Sequence, residues 1–138
     1  MYVRDCMTPK PVTITTSCTL SEAYELMLRK HIRHLPVVDA QLHLVGLVTD
    51  RDIRRVAPSP LLPAVRAEAE QIMETTTVER VMVHAPATVT PEQPLADAVR
   101  IMVDKKFGAL PVLQGGKLVG ILSQIDVLRQ WLKAQPRA

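Results

Sequence analysis

The chain carries the same run of residues twice. His34-Leu35-Pro36-Val37-Val38 is matched by Ala109-Leu110-Pro111-Val112-Leu113, and LVGLVTDRDI at 44–53 by LVGILSQIDV at 118–127. The offset is constant from Met7/Met82 through Pro36/Pro111. It shortens by a single position at Gly46/Gly120, because the loop 39–43 is longer than its counterpart 114–117. A period this long marks a duplicated supersecondary unit, and with two copies the units have to bury their apolar faces on each other. The chain therefore divides into repeat 1 over 1–56, a linker with a short helix over 57–77, and repeat 2 with a C-terminal helix over 78–138.

Each repeat reads as strand, helix, strand, strand, helix. Val12–Ile14 and Thr88–Thr90 are short β-branched runs beside proline. A one-sided helix follows, with apolar residues at Leu20, Ala23, Tyr24, Met27 and Leu28, or at Leu95, Ala98, Val99, Met102 and Val103. Thr19 and Glu22 have capping-box spacing, and Pro94 opens the second helix. Leu35–Val38 and Leu44–Val48 are two apolar strands across a polar turn, which Gly115-Gly116 supplies in the second copy. A last helix starts at Thr49 or Ser123. The expected fold class is α/β (α+β), each repeat β-α-β-β-α. In the linker, PSPLLP at 58–63 is not helical throughout, whereas 64–73 reads as one helix with Glu68 and Glu70 facing solvent.

A 138-residue chain buries roughly 70% of its unfolded surface, so a real core is expected. With four aromatics, Tyr2, Tyr24, Phe107 and Trp131, that core is aliphatic, and a stacking platform for single-stranded nucleic acid is missing. The net charge of +3 is small and its basic residues are scattered, so nucleic acid is disfavoured as a partner. No run approaches 18 apolar residues, so no membrane span is expected. No apolar signal core stands near the N-terminus, and the expected location is cytoplasmic. There Cys6 and Cys18 are small hydrophobes or free thiols, and two cysteines alone make no zinc site.

Two residue patterns carry a family resemblance. Met7-Thr8-Pro9, Thr13-Ile14, Thr19-Leu20, His31 through Val37 and Gly46 through Asp52 resemble a CBS motif, and Leu95, Leu110-Pro111-Val112 and Gly120 through Asp126 repeat it. Together they resemble a tandem CBS pair, or Bateman module, with pseudo-twofold symmetry. Stand-alone pairs of this length are similar to the acetoin-utilisation-type CBS proteins. The resemblance implies a regulatory module that binds adenosyl compounds (AMP, ADP, ATP or S-adenosylmethionine) in clefts between its two repeats.

The chemistry at Thr49-x-x-Asp52 and Ser123-x-x-Asp126 has two readings. A Ser or Thr followed three residues later by an acid is a helix N-cap and needs no ligand. The same geometry offers unpaired N–H groups to a phosphate and a carboxylate to both hydroxyls of a ribose. Gly46 and Gly120 read as places where backbone approaches a ligand closely. Carried over from the family, one cleft holds Thr49, Arg51 and Asp52, with Ala87, Thr88 and Val89 near the base. The other holds Ser123 and Asp126, with Val12, Thr13 and Ile14 near the base, Arg33 and His34 near the phosphates, and Lys10 closing the side. Repeat 2 has Gly108 and Ala109 in place of Arg33 and His34, and Ile125 where a polar group is common. From these cations, the Asp126 cleft is expected to bind more tightly, and a partly protonated His34 to strengthen polyphosphate binding below neutral pH.

His31 and His34 are three residues apart, but no carboxylate or cysteine cluster completes a metal shell, so no metal is expected. Neither a nucleophile–base pair nor a Gly-rich phosphate loop is visible, so the chain reads as a non-enzyme with no required cofactor. The alternative is a structural or partner-binding CBS protein with vestigial clefts. A homodimer is expected, because helix residues such as Leu26, Leu28, Ile101 and Val103 are left only partly covered, and twofold symmetry is the commonest way to bury such a face. The regulated protein is not identified by the sequence.

Overall fold

The computed structural model describes residues 1–57, 61 and 63–137. Its elements run β1 (Thr8–Pro9), α1 (Leu20–Lys30), β2 (His34–Val38), β3 (Leu44–Thr49), α2 (Asp50–Val56), α3 (Arg66–Thr75), β4 (Val83–His84), α4 (Leu95–Lys105), β5 (Ala109–Gln114), β6 (Lys117–Ser123) and α5 (Gln124–Lys133). Among the described residues these form two antiparallel three-stranded sheets, β1-β6-β5 and β2-β3-β4. The expected mixture of helices and sheets is therefore present. Residues 58–60 and 62 of the proline-rich run lie outside the described residues.

The compact units cut the chain differently from the sequence repeats. One unit is Val12–Ala85; the other combines Met1–Pro11 with Pro86–Ala138. Backbone bonding gives the reason. In the first unit the Leu20 N–H at the start of α1 donates to the Thr76 carbonyl (2.9 Å), and the Val78 N–H to the Cys18 carbonyl (2.8 Å). In the second, the Leu95 N–H at the start of α4 donates to Met1 (2.9 Å), and the Val3 N–H to Gln93 (2.9 Å). Residues 1–11 thus do for repeat 2 what residues 76–85 do for repeat 1. Each segment satisfies a helix N-terminus that would otherwise leave donors unpaired.

Local chemistry explains the helices. Thr19 Oγ1 accepts the Glu22 N–H (3.2 Å) while Glu22 accepts the Thr19 N–H (3.3 Å), the reciprocal box that fixes the start of α1. Pro94 precedes α4 and carries no side-chain cap, so the bond to Met1 takes over there. Helices α1 and α4 end at His31 and Lys106, both in the left-handed conformation (φ 56° and 59°). The β5–β6 hairpin turns through Gly115 and Gly116, both at positive φ. In the longer β2–β3 loop, Asp39 instead accepts the Gln41 and His43 N–H groups, both at 2.9 Å.

The runs read as first strands are single bridges. Only Ile14, against Val37, and Val89, against Val112, pair there, both in parallel. Ile14 spends its N–H on Pro36 (3.1 Å) and its carbonyl on Val38 (2.9 Å); Val89 does the same with Pro111 and Leu113. The ladder strands β1 and β4 lie just before them instead. Lys10 and Ala85, at φ 48° and 47°, break each ladder strand from the bridge that follows.

Each unit has its own aliphatic core. Ile14, Leu20, Met27, Leu35, Val48 and Ile53 anchor one, and Val3, Val89, Met102, Leu110, Val112 and Leu122 the other. No aromatic is among these buried residues, as the composition requires, and each buried Leu contributes roughly 1.5–3 kcal/mol. The linker helix α3 packs on α1 with Ala69 buried, while Glu68 and Glu70 are exposed. Leu28 and Val103 remain 61% and 68% exposed, and Leu26 and Ile101 are half-buried. No helix among the described residues is long and apolar enough to cross a membrane.

Candidate functional site

Each unit presents one strand-to-helix corner that ends in an acid. In the unit 12–85, His34 pairs across from Thr49 at the end of the β2–β3 ladder. The Asp50 N–H donates to the Arg33 carbonyl (3.1 Å), which fixes the corner. Thr49 caps α2: its Oγ1 accepts the Asp52 N–H (3.1 Å), and Asp52 Oδ2 accepts the Thr49 N–H (2.9 Å). The other unit repeats this. Ala109 pairs with Ser123, Gln124 N–H donates to Gly108 (3.0 Å), Ser123 Oγ accepts the Asp126 N–H (3.2 Å), and Asp126 Oδ2 accepts the Ser123 N–H (2.9 Å). The capping reading of both motifs is therefore realised. In each motif it occupies one of the two carboxylate oxygens.

The corners differ at the second oxygen. The Thr8 hydroxyl donates to Asp126 Oδ1 (3.1 Å), and the Cys6 thiol to the Asp126 carbonyl (3.3 Å). Asp126 is only 9% exposed. Burial pushes the Cys6 thiol above its ordinary pKa, and the Asp126 carboxylate adds to the rise, so Cys6 stays protonated. Asp52 is half-buried and has no protein donor to Oδ1 among the described residues. The Thr8 and Cys6 contacts span 118 and 120 residues of sequence. The Met7-Thr8-Pro9 run is their only trace in the sequence.

The remaining candidates divide between the units. Val12, Thr13, Ile14, Arg33, His34, Thr49, Arg51 and Asp52 belong to one; Lys10, Ala87, Thr88, Val89, Ser123 and Asp126 belong to the other. Ile14 and Val89 are buried in their cores, whereas Ala87 and Thr88 are exposed and Val12 and Thr13 half-buried. Lys10 and Arg51 are exposed. Arg33 is also exposed and lines a groove of about 310 Å³ between α1 and α2, with Tyr24, Met27, His31, Asp50 and Arg54 among the other lining residues. Arg54 pairs there with Asp50 (3.6 Å).

His34 departs from the expectation of a partly charged phosphate contact. Burial pushes its pKa below the ordinary 6.5, Arg33 adds to the fall, and Asp50 and Asp52 only partly oppose it. The imidazole is neutral at neutral pH. Among the described residues, no group of three His, Cys, Asp or Glu side chains is placed to hold a metal ion.

Comparison with known proteins bears on these corners. The CBS-domain profile matches residues 3–59 and 78–133. A CBS domain-containing protein of Dictyostelium discoideum is 32% identical over 96% of this chain and 92% of its own. Other curated relatives are longer, and the chain spans between 23% and 63% of them; those named homoserine O-acetyltransferase are matched over 23–24% of their length. Among solved structures, CBSX2 of Arabidopsis thaliana in complex with AMP superposes with a TM-score of 0.80 at 30% identity, covering 98% of this chain and 99% of that one. The Vibrio cholerae protein named AcuB, for acetoin utilization, gives 0.78 at 32% identity, covering 96% and 92%. Matched in both of its repeats and along nearly its whole length, the chain belongs to the CBS-domain family and carries two CBS domains in tandem.

Proposed function

We propose that the chain is a non-catalytic regulatory module that binds an adenine nucleotide at its two acid-bearing corners and passes occupancy to a partner protein as a conformational change. One observation carries this reading. The same Ser/Thr-x-x-Asp corner is built twice, each with its acid fixed by its own backbone, in a chain 30% identical over 98% of its length to a protein whose structure holds AMP. A carboxylate held this way is ready to accept from a ribose diol. Val12, Thr13 and Ile14, and Ala87, Thr88 and Val89, are proposed to frame the bases, largely through backbone groups. Lys10, Arg33 and Arg51 are the cations proposed for the phosphates, with His34 as a neutral donor beside them.

The module is proposed to work as a homodimer in the cytoplasm, where the free thiols of Cys6 and Cys18 persist. Ligand shifts such a module only by its differential affinity for two arrangements. No hydrolysis is proposed, so ATP incubated with the protein is expected to be recovered intact.

Thermal unfolding with AMP, ADP, ATP, S-adenosylmethionine and NAD tests the reading. A bound nucleotide at one hundred times its dissociation constant stabilises by about 2.7 kcal/mol, which raises Tm by several degrees. Asp52→Asn together with Asp126→Asn is expected to abolish the rise. No rise with any adenosyl compound at millimolar concentration overturns the reading in favour of a partner-binding protein with unused corners.

A further inference from the structure

We infer that Thr8 is a positioning residue that weakens nucleotide binding at Asp126, by occupying the carboxylate oxygen that a ribose diol would take. The inference rests on the nucleotide reading above. A carboxylate accepting both hydroxyls of a ribose presents free lone pairs on its two oxygens. At Asp126 one oxygen holds the Ser123 N–H (2.9 Å) and the other the Thr8 hydroxyl (3.1 Å), in a side chain 9% exposed. With one donor already on each oxygen, a diol arriving there competes on Oδ1 with a hydrogen bond that the folded chain already makes. At Asp52 the second oxygen has no protein donor among the described residues, so no such competition arises.

The strand register gives the asymmetry its cause. Thr8 lies opposite Ile121 on β6, and Val83 lies opposite Leu47 on β3. Ile121 and Leu47 are the same position of the repeat, so Thr8 and Val83 are equivalents, one with a hydroxyl and one without. Val83 is 50% exposed, so a hydroxyl can be placed there without disturbing a core. The order of affinity is then the reverse of the one read from the cations alone. Arg33, counted there toward the Asp126 cleft, lines the groove between α1 and α2.

A purely structural Thr8 would stitch β1 to the start of α5 and affect stability alone. The two roles separate in the preference for a ribose over a 2′-deoxyribose. Calorimetry of AMP and 2′-deoxy-AMP with the full chain provides the test. Asp52→Asn isolates the Asp126 position and Asp126→Asn the other. In the first background, Thr8→Val is expected to tighten AMP by about three- to tenfold, the worth of one hydrogen bond, and to widen the preference for AMP over 2′-deoxy-AMP. In the second, Val83→Thr is expected to weaken AMP and narrow that preference. Unchanged affinity and preference in a folded Thr8→Val, or weaker AMP binding, overturns the inference and leaves the nucleotide reading intact. Should Thr8→Val fail to fold, Val83→Thr decides by the same criterion. Absence of AMP binding to the unsubstituted chain overturns both.

Discussion

A Cβ added to Gly46 would fall on the Met82 sulfur, and one added to Gly120 would lie 2.7 Å from the Met7 sulfur. From the sequence these glycines read as places of close ligand approach. The neighbour that comes close is the methionine beside the closing strand of each sheet. Glycine is needed because a thioether has to cross the strand at that point.

Gly46→Ala is therefore expected to destabilise by about 1–3 kcal/mol through overpacking. The buried sulfur has to move, and Met82→Ala alone leaves a cavity. Combined, the added methyl partly fills the space, so the double variant costs less than the sum of the singles. Urea denaturation of the three variants measures this coupling. Additive losses would show that Met82 moves aside freely.

Folding stability is expected to fall with acidification through His34. Its folded-state pKa is depressed below 6.5 by burial, so the unfolded chain binds the proton more readily. The contribution is fully present above the unfolded value of about 6.5 and is lost as pH falls through the depressed folded value. His34→Gln removes the titration. Denaturation midpoints of the parent chain are expected to drop more steeply below about pH 6.5 than those of the variant. Parallel curves would remove His34 from the account.

The two left-handed helix ends offer a gain. His31 and Lys106 occupy αL at φ 56° and 59°, a conformation that costs a residue with a Cβ roughly 1–2 kcal/mol. His31→Gly and Lys106→Gly are each expected to stabilise by about 0.5–1 kcal/mol, less than the full relief because glycine is freer when unfolded. Calorimetric Tm values that rise by a few degrees support this; falling values would mean that the side chains make stabilising contacts of their own.

The exposed helix faces set the expected assembly. Leu28 and Val103 stand out on α1 and α4, and Leu128, Trp131 and Leu132 on α5. Light scattering is expected to give twice the mass of a single chain. Val103→Glu with Leu28→Glu is expected to return it toward the single-chain mass, because a charge on each face opposes its burial. A parent chain that stays monomeric at tens of micromolar rules the dimer out.

What the sequence makes legible is what short-range chemistry decides. The Thr19–Glu22 box, the Thr49 and Ser123 caps and the Gly115-Gly116 turn all form where their spacing puts them. The two-residue ladder strands at Thr8–Pro9 and Val83–His84 escape notice because two residues have no alternation to read. Leu28 and Val103 fit the apolar period yet stay exposed, since the helical stripe is wider than the core beneath it. The acids of the candidate site are readable from their caps. The Thr8 hydroxyl on Asp126 is not, because a contact across 118 residues leaves no local pattern.

Synthesis on the ribosome proceeds in one direction, and the exchanged segments give it an order. The unit Val12–Ala85 is a continuous stretch, so its sheet β2-β3-β4 can close once residue 85 has emerged. The first eleven residues have no such opportunity. Their strand Thr8–Pro9 pairs with β6 at Gly120 and Ile121, near the far end of the chain. They leave the ribosome before every other strand of either sheet, and their partner β6 is the last strand to follow. Pulse-labelled hydrogen exchange is expected to show protection at Val37 and Val48 before protection at Val3. A polar, proline-bearing stretch such as Arg4–Pro11 is suited to that delay, having little to aggregate with before its strand arrives.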